Sequence, residues 1–308
     1  LSKCCRVKRS SMNHSRRGPS ASTGIAPGPG DRDTFATFIL STGRCGTQWL
    51  AEKLKAAYPD HLRGEHEPLQ NAYEPRRMLG SNTPSAALAA HVEDIERRLE
   101  TGSYLECGHP CWSSLSWLID RLPGRIRIVH LTRHPVPTAL SWLTHSAYLA
   151  PLLPHLGERV LLTPFDPGAA FPQYQTRWPA LQPFEKCLYY WAEVNAFGLR
   201  LAEFARVPWF RLRYEDLFEG LALADLLTFL DLPPREELLE TRSEVVDRHR
   251  FVAPCAPPAL EVLGSHEPVL SVAGALGYDM ESPDPGSYLG RYMFAGETRS
   301  GGRLTFWK

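Results

Sequence analysis

Thr34-Phe-Ala-Thr-Phe-Ile-Leu-Ser-Thr-Gly-Arg-Cys-Gly-Thr-Gln-Trp49 is the stretch of sequence that decides the fold. An apolar run rich in β-forming residues leads into a turn, and the turn leads into a helix. Backbone N–H groups in such a turn, together with the positive end of the following helix, bind phosphate-like oxygens. Gly43 and Gly46 permit unusual φ angles and close approach, and Arg44 adds a positive charge. The stretch therefore predicts an anion-binding loop at the end of a β-strand.

The loop differs from the phosphate loop of nucleotide triphosphatases at two positions. In those proteins a Lys-Ser or Lys-Thr pair follows the second glycine, and the hydroxyl holds Mg²⁺. Thr47 and Gln48 occupy these positions here, so the positive charge lies within the turn at Arg44. We therefore expect an anion site that needs no metal.

A second segment, residues 125–132, alternates and is rich enough in β-branched residues to form a buried strand. It ends at Arg133, and Pro135 then begins a helix. Ser141 lies eight positions after Arg133 (141 − 133), which places it about two turns into that helix. An arginine and a hydroxyl placed in this way can bind one phosphate group together. The alternative is that Arg133 pairs with a carboxylate and Ser141 faces solvent.

These segments resemble the donor-binding motifs of sulfotransferases that use 3′-phosphoadenosine 5′-phosphosulfate (PAPS). The loop at 44–49 is similar to the 5′-phosphosulfate loop of that family, and Arg133 with Ser141 is similar to its 3′-phosphate motif. A third string, Arg-Tyr-Glu-Asp-Leu at 213–217, is similar to a strand-end signature that many members carry next. We expect the carboxylates of this third string to support the fold, because they lie where acidic residues favour a helix start.

The resemblance implies transfer of a sulfuryl group from PAPS, as co-substrate, to a hydroxyl or amine of an acceptor by in-line displacement. It also implies a P-loop nucleotide-kinase-like α/β architecture of three layers, with a parallel sheet flanked by helices. The alternation of strand and helix patterns favours the same class. The donor-binding residues that it implies are Gly43, Arg44, Cys45, Gly46, Thr47, Gln48, Trp49, Arg133 and Ser141.

Two tryptophans each have a functional and a structural interpretation. Trp49 either stacks on adenine, as the equivalent tryptophan does in cytosolic members, or packs the loop helix onto the sheet. Trp191 and Asn195 lie four positions apart on one helical face, a pattern that some bacterial members share. We expect core packing for this second pair.

Sulfuryl transfer also needs a base that removes the acceptor's proton. Glu67 is the first candidate, because carbohydrate and bacterial sulfotransferases often carry a Glu-Pro pair after the first helix, and Pro68 follows it here. His66 is its nearest rival, because an imidazole titrates in the right range. Cytosolic members instead use a histidine before the 3′-phosphate strand. The candidates for that role here are His109 and Glu106.

Arg44 is expected to act electrostatically on the transferred group and on the departing phosphate. A lysine usually occupies this position in cytosolic members of the family. Arginine does not readily release a proton, so we expect Arg44 to stabilise charge and to take no part in proton transfer.

Two other classes of function stay open. A kinase that uses ATP and Mg²⁺ is expected to place a lysine after Gly46 and an acidic metal partner at a strand end, and the lysine is missing. A nucleotide-binding module without catalysis would bind 3′,5′-phosphoadenosine and transfer nothing.

Composition limits the partners. The chain has 308 residues, of which 43% are hydrophobic, so it can bury a full core without a metal or disulfide. The formal net charge is zero, which predicts no general attraction to nucleic acid or acidic lipid. No run reaches the roughly 18 apolar residues of a membrane span. We expect a small-molecule, carbohydrate or lipid acceptor, and the oligomeric state stays open.

The cysteines favour a reducing compartment. There are seven, an odd number, and they lack the dense spacing of a disulfide scaffold, so we expect a cytoplasmic protein. Cys107, His109 and Cys111 lie close together in the sequence, but a fourth zinc ligand with paired spacing is missing. We therefore predict no metal site.

The chain divides into a tail and one domain. Residues 1–32 are basic and rich in serine, glycine and proline, which predicts a disordered tail. Residues 33–308 are expected to form a single domain. Within it, residues 151–183 are rich in proline, glycine and aromatic residues, and a long connection of this kind is typical of a functional element. We expect a lid or wall for the acceptor there.

Several elements are predicted with bounds. Strands are expected at about 34–41 and at 103–107. A helix is expected to begin at Thr83 as the cap, with Pro84 in its first turn. Another helix is expected from about 219 to 230.

Overall fold

A computed structural model describes most of the chain. The residues that it describes are 34–145, 147–148, 161–235, 237–238 and 258–280. The predicted tail at 1–32 and the first part of the predicted acceptor element, residues 151–160, lie outside these residues.

The centre of the domain is a five-stranded parallel sheet with the strand order β2-β3-β1-β4-β5. The strands are β1 (Ala36–Leu40), β2 (Leu62–His66), β3 (Ser103–Cys107), β4 (Ile126–Thr132) and β5 (Trp209–Arg213). Ala36 of the central strand lies opposite Tyr104 of β3 and Ile126 of β4. Because all strands are parallel, their carboxyl ends meet at one edge, where open α/β sheets bind ligands.

Helices connect and flank the strands. They are α1 (Thr47–Ala57), α2 (Pro75–Ser81), α3 (Ala86–Arg98), α4 (Leu115–Arg121), α5 (Pro135–Thr144), α6 (Pro183–Phe204), α7 (Tyr214–Glu219), α8 (Leu223–Phe229) and α9 (Glu267–Ala275). A short 3₁₀ turn, His109–Ser114, follows β3. Among the helices that the structure describes, none is both long and apolar enough to cross a membrane.

Apolar clusters cover both faces of the sheet. Successive strand residues point to opposite faces, and in β1 Phe38 packs into one cluster while Ile39 packs into the other. All five residues of β1 are buried, as expected for a central parallel strand covered by helices on both sides. The predicted α/β class with a parallel sheet between helices is confirmed.

The predicted start of α3 was wrong by two residues (85 − 83). Ser85, not Thr83, caps this helix, because the Ser85 hydroxyl accepts a hydrogen bond from the backbone N–H of Leu88 at 3.1 Å. The same hydroxyl donates to the carbonyl of Ala72 at 2.8 Å. Pro84 therefore precedes the cap.

The helix predicted over about 219 to 230 corresponds to α8, which begins later than predicted because a separate short helix, α7, ends just before it. Helix α7 begins directly after β5 and ends at Gly220, whose φ of 84° is left-handed. A left-handed glycine at this place terminates a helix. The chain then turns and α8 begins at Leu223.

Candidate functional site

The loop after β1 has a left-handed backbone at three of its residues. Gly43, Arg44 and Gly46 all have positive φ angles, of 74°, 58° and 81°. Gly46 is also the N-cap residue of α1. The hydroxyl of Ser41 accepts a hydrogen bond from the Gly43 N–H at 3.0 Å and so fixes the start of the turn. A turn of this kind ahead of a helix is suited to an anion.

Close neighbours explain both glycines of the loop. A Cβ atom at Gly43 would lie 3.0 Å from side-chain atoms of His109 and Trp142. At Gly46 it would lie 2.8 Å from the ring of Phe218. A side chain at either position would therefore require these neighbouring side chains to move.

The two predicted donor-binding motifs meet at the carboxyl edge of the sheet. The Arg44 side chain donates from Nε to the hydroxyl of Ser141 at 2.9 Å. Arg133 donates from Nη1 to the backbone carbonyl of Arg44 at 2.7 Å, and its guanidinium lies 4.2 Å from the ring centre of Tyr214. The end of β1 and the end of β4 therefore form one cationic site.

The turn that carries Arg133 is fixed from several sides. The indole N–H of Trp191 donates to the Arg133 carbonyl at 2.9 Å. Glu215 accepts a hydrogen bond from the backbone N–H of His134 at 3.0 Å and one from the Tyr278 hydroxyl at 3.2 Å. Trp191 is fully buried, as core packing requires, and it also positions the arginine.

Cys45 lies inside the loop and is fully buried. Its thiol donates to the Gly43 carbonyl at 3.0 Å. Burial raises the pKa of the Cys45 thiol to about 11, although the Thr42 hydroxyl opposes that effect. The thiol is therefore neutral at physiological pH and supports the turn.

Gln48 and Trp49 both contact side chains outside the loop. The Gln48 amide donates to the Glu52 carboxylate, one helical turn later, at 2.9 Å. Trp49 is only 3% exposed, and its ring packs edge-on against Phe218 with the ring centres 5.1 Å apart. The position of Trp49 fits the packing interpretation.

Glu67 and His109 form a pair beside the loop. The Glu67 carboxylate lies 2.8 Å from Nδ1 of His109. Burial opposes ionisation of Glu67, but the adjacent His109 and His66 together lower the pKa of its carboxyl to about 2. An ionised carboxylate only accepts hydrogen bonds, so Nδ1 of His109 carries the proton and donates it.

This tautomer leaves the other ring nitrogen of His109 with a free lone pair when the imidazole is neutral. The Nε2 atom is buried and has no hydrogen-bond partner among the described residues. The ring also lies edge-on to Trp142, with the centres 5.2 Å apart. His109 thus presents a proton acceptor next to Gly43 of the loop.

His66 lies on the other side of Glu67. Its Nε2 is 3.2 Å from the hydroxyl of Thr47 and 3.9 Å from the Glu67 carboxylate. Burial lowers the pKa of His66, against the effect of Glu67. The structure therefore brings Glu67, His66 and His109 together, and His66 links this group to the first residue of α1.

Glu106, the other candidate base, belongs to a different network. Its carboxylate is fully buried and accepts hydrogen bonds from the Tyr73 hydroxyl and, at 3.1 Å, from the Tyr104 hydroxyl. His91 lies 2.9 Å from the same carboxylate. These partners occupy Glu106 away from the loop.

Two cysteines flank His109 in the sequence. Cys107 and Cys111 are both free and buried. Within the described ranges, no group of three or more His, Cys, Asp or Glu residues is placed to hold a metal ion.

The described part of the predicted acceptor element begins at residue 161 and packs against α2. The Arg76 guanidinium donates to the Leu161 carbonyl at 3.1 Å and pairs with Asp166 at 3.0 Å. A Cβ atom at Gly168 would lie 2.9 Å from the Leu79 carbonyl, so the two backbones are in direct contact.

Two further anchors hold this element. Glu193 of α6 accepts hydrogen bonds from the backbone N–H groups of Ala170 and Phe171, at 2.8 and 2.9 Å. The Tyr174 hydroxyl lies 2.8 Å from Nδ1 of His266, which precedes α9. The described part of the element is therefore attached to three helical regions.

No known family model matches the chain, and no curated protein matches it. Solved structures do resemble it. They include the sulfotransferase domain of the curacin biosynthetic pathway, at 17% identity over 81% of this chain and 99% of that one, with a TM-score of 0.46. The sulfotransferase domain of the Synechococcus PCC 7002 olefin synthase has 18% identity over 81% and 97%, with a TM-score of 0.46. A sulfotransferase from Alicyclobacillus acidocaldarius has 18% identity over 79% and 96%, with a TM-score of 0.43.

All three are sulfotransferases.

The sequence did not predict that Trp142 contacts both the loop and His109. Its indole N–H donates to the carbonyl of Thr42 in the loop at 3.1 Å. Its ring lies next to His109 and, at 5.9 Å between ring centres, next to Tyr190. The position directly after Ser141 was the available signal, but an aromatic residue in an apolar helix is typical of a core.

Proposed function

We propose that this protein transfers a sulfuryl group from PAPS to a hydroxyl or amine of a small-molecule, carbohydrate or lipid acceptor. The observation that carries the proposal is the meeting of the Gly43–Gly46 loop with Arg133 and Ser141. PAPS has two separate anionic ends, a 5′-phosphosulfate and a 3′-phosphate. A loop at the N-terminus of a helix suits the phosphosulfate, and an arginine-serine pair suits the 3′-phosphate. A 2.9 Å hydrogen bond between Arg44 and Ser141 joins the two motifs.

Each motif has its own part of the donor in this proposal. The phosphosulfate end is bound by the loop backbone from Gly43 to Gly46 and by the start of α1 at Thr47–Trp49. Within that start, Gln48 and Trp49 support the helix. Arg133 and Ser141 bind the 3′-phosphate. Arg44 stabilises charge on the sulfuryl oxygens and on the departing phosphate. Its 2.9 Å contact with Ser141 supports the proposal that one donor molecule contacts both motifs.

We propose His109 as the base and Glu67 as the residue that positions it. The Glu67 carboxylate, expected from the sequence to be the base itself, has a pKa of about 2 and is a poor proton acceptor near neutrality. In the proposed step, Nε2 of His109 takes the acceptor's proton and the acceptor oxygen or nitrogen forms a bond to sulfur. The bond from sulfur to the phosphate oxygen breaks, and 3′,5′-phosphoadenosine leaves with the electron pair.

We also propose a reducing, cytoplasmic setting. Cys45, Cys107, Cys111 and Cys187 are all free thiols. Free buried cysteines fit such a compartment. No step of the proposed chemistry uses a metal.

The donor site is tested by calorimetric titration with 3′,5′-phosphoadenosine and with ATP, each with and without Mg²⁺. We expect 3′,5′-phosphoadenosine to bind without the metal, and Arg133→Ala and Ser141→Ala to weaken it by about tenfold or more. Arg121→Ala is the matched control, because it removes a surface arginine paired with Glu96. Tighter, Mg²⁺-dependent binding of ATP would favour a kinase.

The chemistry is tested by a transfer assay with labelled PAPS and a panel of acceptors. His109→Gln is expected to bind 3′,5′-phosphoadenosine like the parent and to lose transfer. A parent protein that binds 3′,5′-phosphoadenosine and transfers to nothing would be a binding module.

A further inference from the structure

We infer that the acceptor is an aliphatic or alicyclic alcohol and not a phenol, an inference that rests on the proposed function. The observation behind it is the 2.8 Å contact between the Glu67 carboxylate and Nδ1 of His109, with Nε2 of that ring buried beside the loop.

The two classes of acceptor place different demands on a base. A phenol loses its proton at a pKa of about 10. A hydroxyl bonded to a saturated carbon behaves more like bulk water, for which the pKa is about 16. A phenol therefore gives up its proton more readily, whereas an aliphatic hydroxyl depends more strongly on a base as the new bond forms.

A carboxylate behind an imidazole is a device for the second, harder case. In hydrolases with a Ser-His-Asp triad, the same arrangement activates an aliphatic hydroxyl. The carboxylate fixes the tautomer and stabilises the imidazolium that forms. Here Glu67 holds the proton on Nδ1, so Nε2 of His109 is the proton acceptor.

The chain adopts an unfavourable local backbone to build this pair. Glu67 has a φ of 48°, a left-handed conformation that is uncommon for a residue other than glycine. Its N–H donates to the Cys107 carbonyl at 3.2 Å. A Cβ atom at Gly108 would lie 2.7 Å from Cγ of Glu67, so the glycine before His109 makes room for the carboxylate.

Aromatic rings exclude water from the same place. Trp142 is 3% exposed and lies against His109, and Tyr190, fully buried, lies against Trp142. A low local dielectric strengthens the attraction between the Glu67 carboxylate and an imidazolium at His109. The pair is thereby suited to accepting a proton from a weakly acidic hydroxyl.

The test compares two isomeric acceptors, 2-phenylethanol and 4-ethylphenol, which share a formula and differ in the carbon that bears the hydroxyl. We expect the parent to transfer faster to 2-phenylethanol. With that acceptor, Glu67→Gln is expected to reduce kcat by about a thousandfold, whereas with 4-ethylphenol the loss is expected to stay below about tenfold.

The control is Glu65→Gln, at a glutamate of β2 two positions before Glu67. Glu65 pairs with Arg98 at 2.5 Å and accepts from the Tyr104 hydroxyl at 2.8 Å, so it belongs to another group of side chains. This variant is expected to keep the parent's preference between the two acceptors.

Three outcomes would overturn the inference: faster transfer to 4-ethylphenol, equal losses for both acceptors in Glu67→Gln, or transfer to neither isomer. A parallel titration of every variant with 3′,5′-phosphoadenosine reports on folding and on the donor site. A parent that fails to bind 3′,5′-phosphoadenosine would instead remove the proposed function itself.

Discussion

At the scale of single residues, Gly46 fixes the geometry of the donor loop. Its φ of 81° is left-handed, and a side chain there would meet the ring of Phe218. We expect Gly46→Ala to weaken 3′,5′-phosphoadenosine binding by about tenfold or more, because a left-handed alanine costs about 1–2 kcal/mol and Phe218 must shift. Calorimetric titration measures this affinity.

Gly124→Ala is the matched control for Gly46→Ala. Gly124 has a φ of 73°, and no atom lies within 4 Å of the place where its Cβ would be. The backbone penalty is therefore similar, but the position is remote from the loop. We expect Gly124→Ala to lower the free energy of unfolding and to leave the affinity unchanged. Equal loss of affinity in both variants would contradict a local role for Gly46.

The residues of the site differ in how far the sequence predicts them. The loop at 43–46 is local, so adjacent residues carry its whole signal. Glu67 and His109 are 42 positions apart, and only the pairing of β2 with β3 brings the ends of these strands together. No pattern in the sequence indicates that these two residues are in contact. The sequence therefore predicted them as alternative bases and not as a pair.

At the scale of elements, the start of α3 depends on Ser85. Its hydroxyl accepts from Leu88 and donates to Ala72, so Ser85→Ala removes two hydrogen bonds. We expect this variant to lose about 1–2 kcal/mol of unfolding free energy. Urea unfolding of the parent and the variant measures the difference.

Thr83→Ala is the comparison for the Ser85 variant. Thr83 is exposed, and its hydroxyl only donates to the nearby Ser81 carbonyl at 3.2 Å. We expect a change below about 0.5 kcal/mol. A larger loss of unfolding free energy in Thr83→Ala than in Ser85→Ala would indicate that Thr83 is the cap, as the sequence predicted.

The two errors in element bounds have different causes. Thr83 and Ser85 both qualify as caps, and the choice between them involves the Ala72 carbonyl, which only the folded chain brings close. The break at Gly220 has a local signal, because glycine often follows the end of a helix. By contrast, β3 has the predicted bounds, 103–107, since an apolar β-rich segment carries its own pattern.

At the scale of the whole molecule, a buried histidine in the sheet links stability to pH. His130 of β4 is fully buried and bonded to Asn195 at 3.0 Å, in a space that exists because Gly198 has no side chain. Burial lowers the pKa of His130 from 6.5 to about 4. As pH falls, the unfolded chain binds this proton first. The contribution of His130 to stability is therefore lost between about pH 6.5 and 4 and changes no further below that range.

The expected size of this effect is about 3 kcal/mol, since each pKa unit corresponds to about 1.4 kcal/mol. We expect His130→Gln, which keeps an N–H group toward Asn195 and does not titrate, to lose less stability than the parent from pH 7 to pH 4. Urea unfolding at the two pH values measures both losses. Losses of equal size would show that His130 does not carry the dependence.

The class of the whole fold follows from the sequence, but the strand order does not. Alternating strands and helices predict a parallel sheet with helices on both sides. The central position of β1 depends on the chain crossing first to one side of it, to β2 and β3, and then to the other, to β4 and β5. Those crossings are set by packing between distant segments.

The attachment of residues 161–183 has a consequence for how such a protein diversifies. Arg76, Glu193 and His266 attach this segment, whereas the anion cradle is built by the ends of β1 and β4. Substitutions in the segment that keep these attachments are therefore expected to leave the loop and Arg133 in place. On the proposed function, descendants of one ancestral gene can acquire new acceptors while inheriting an unchanged way of holding the donor.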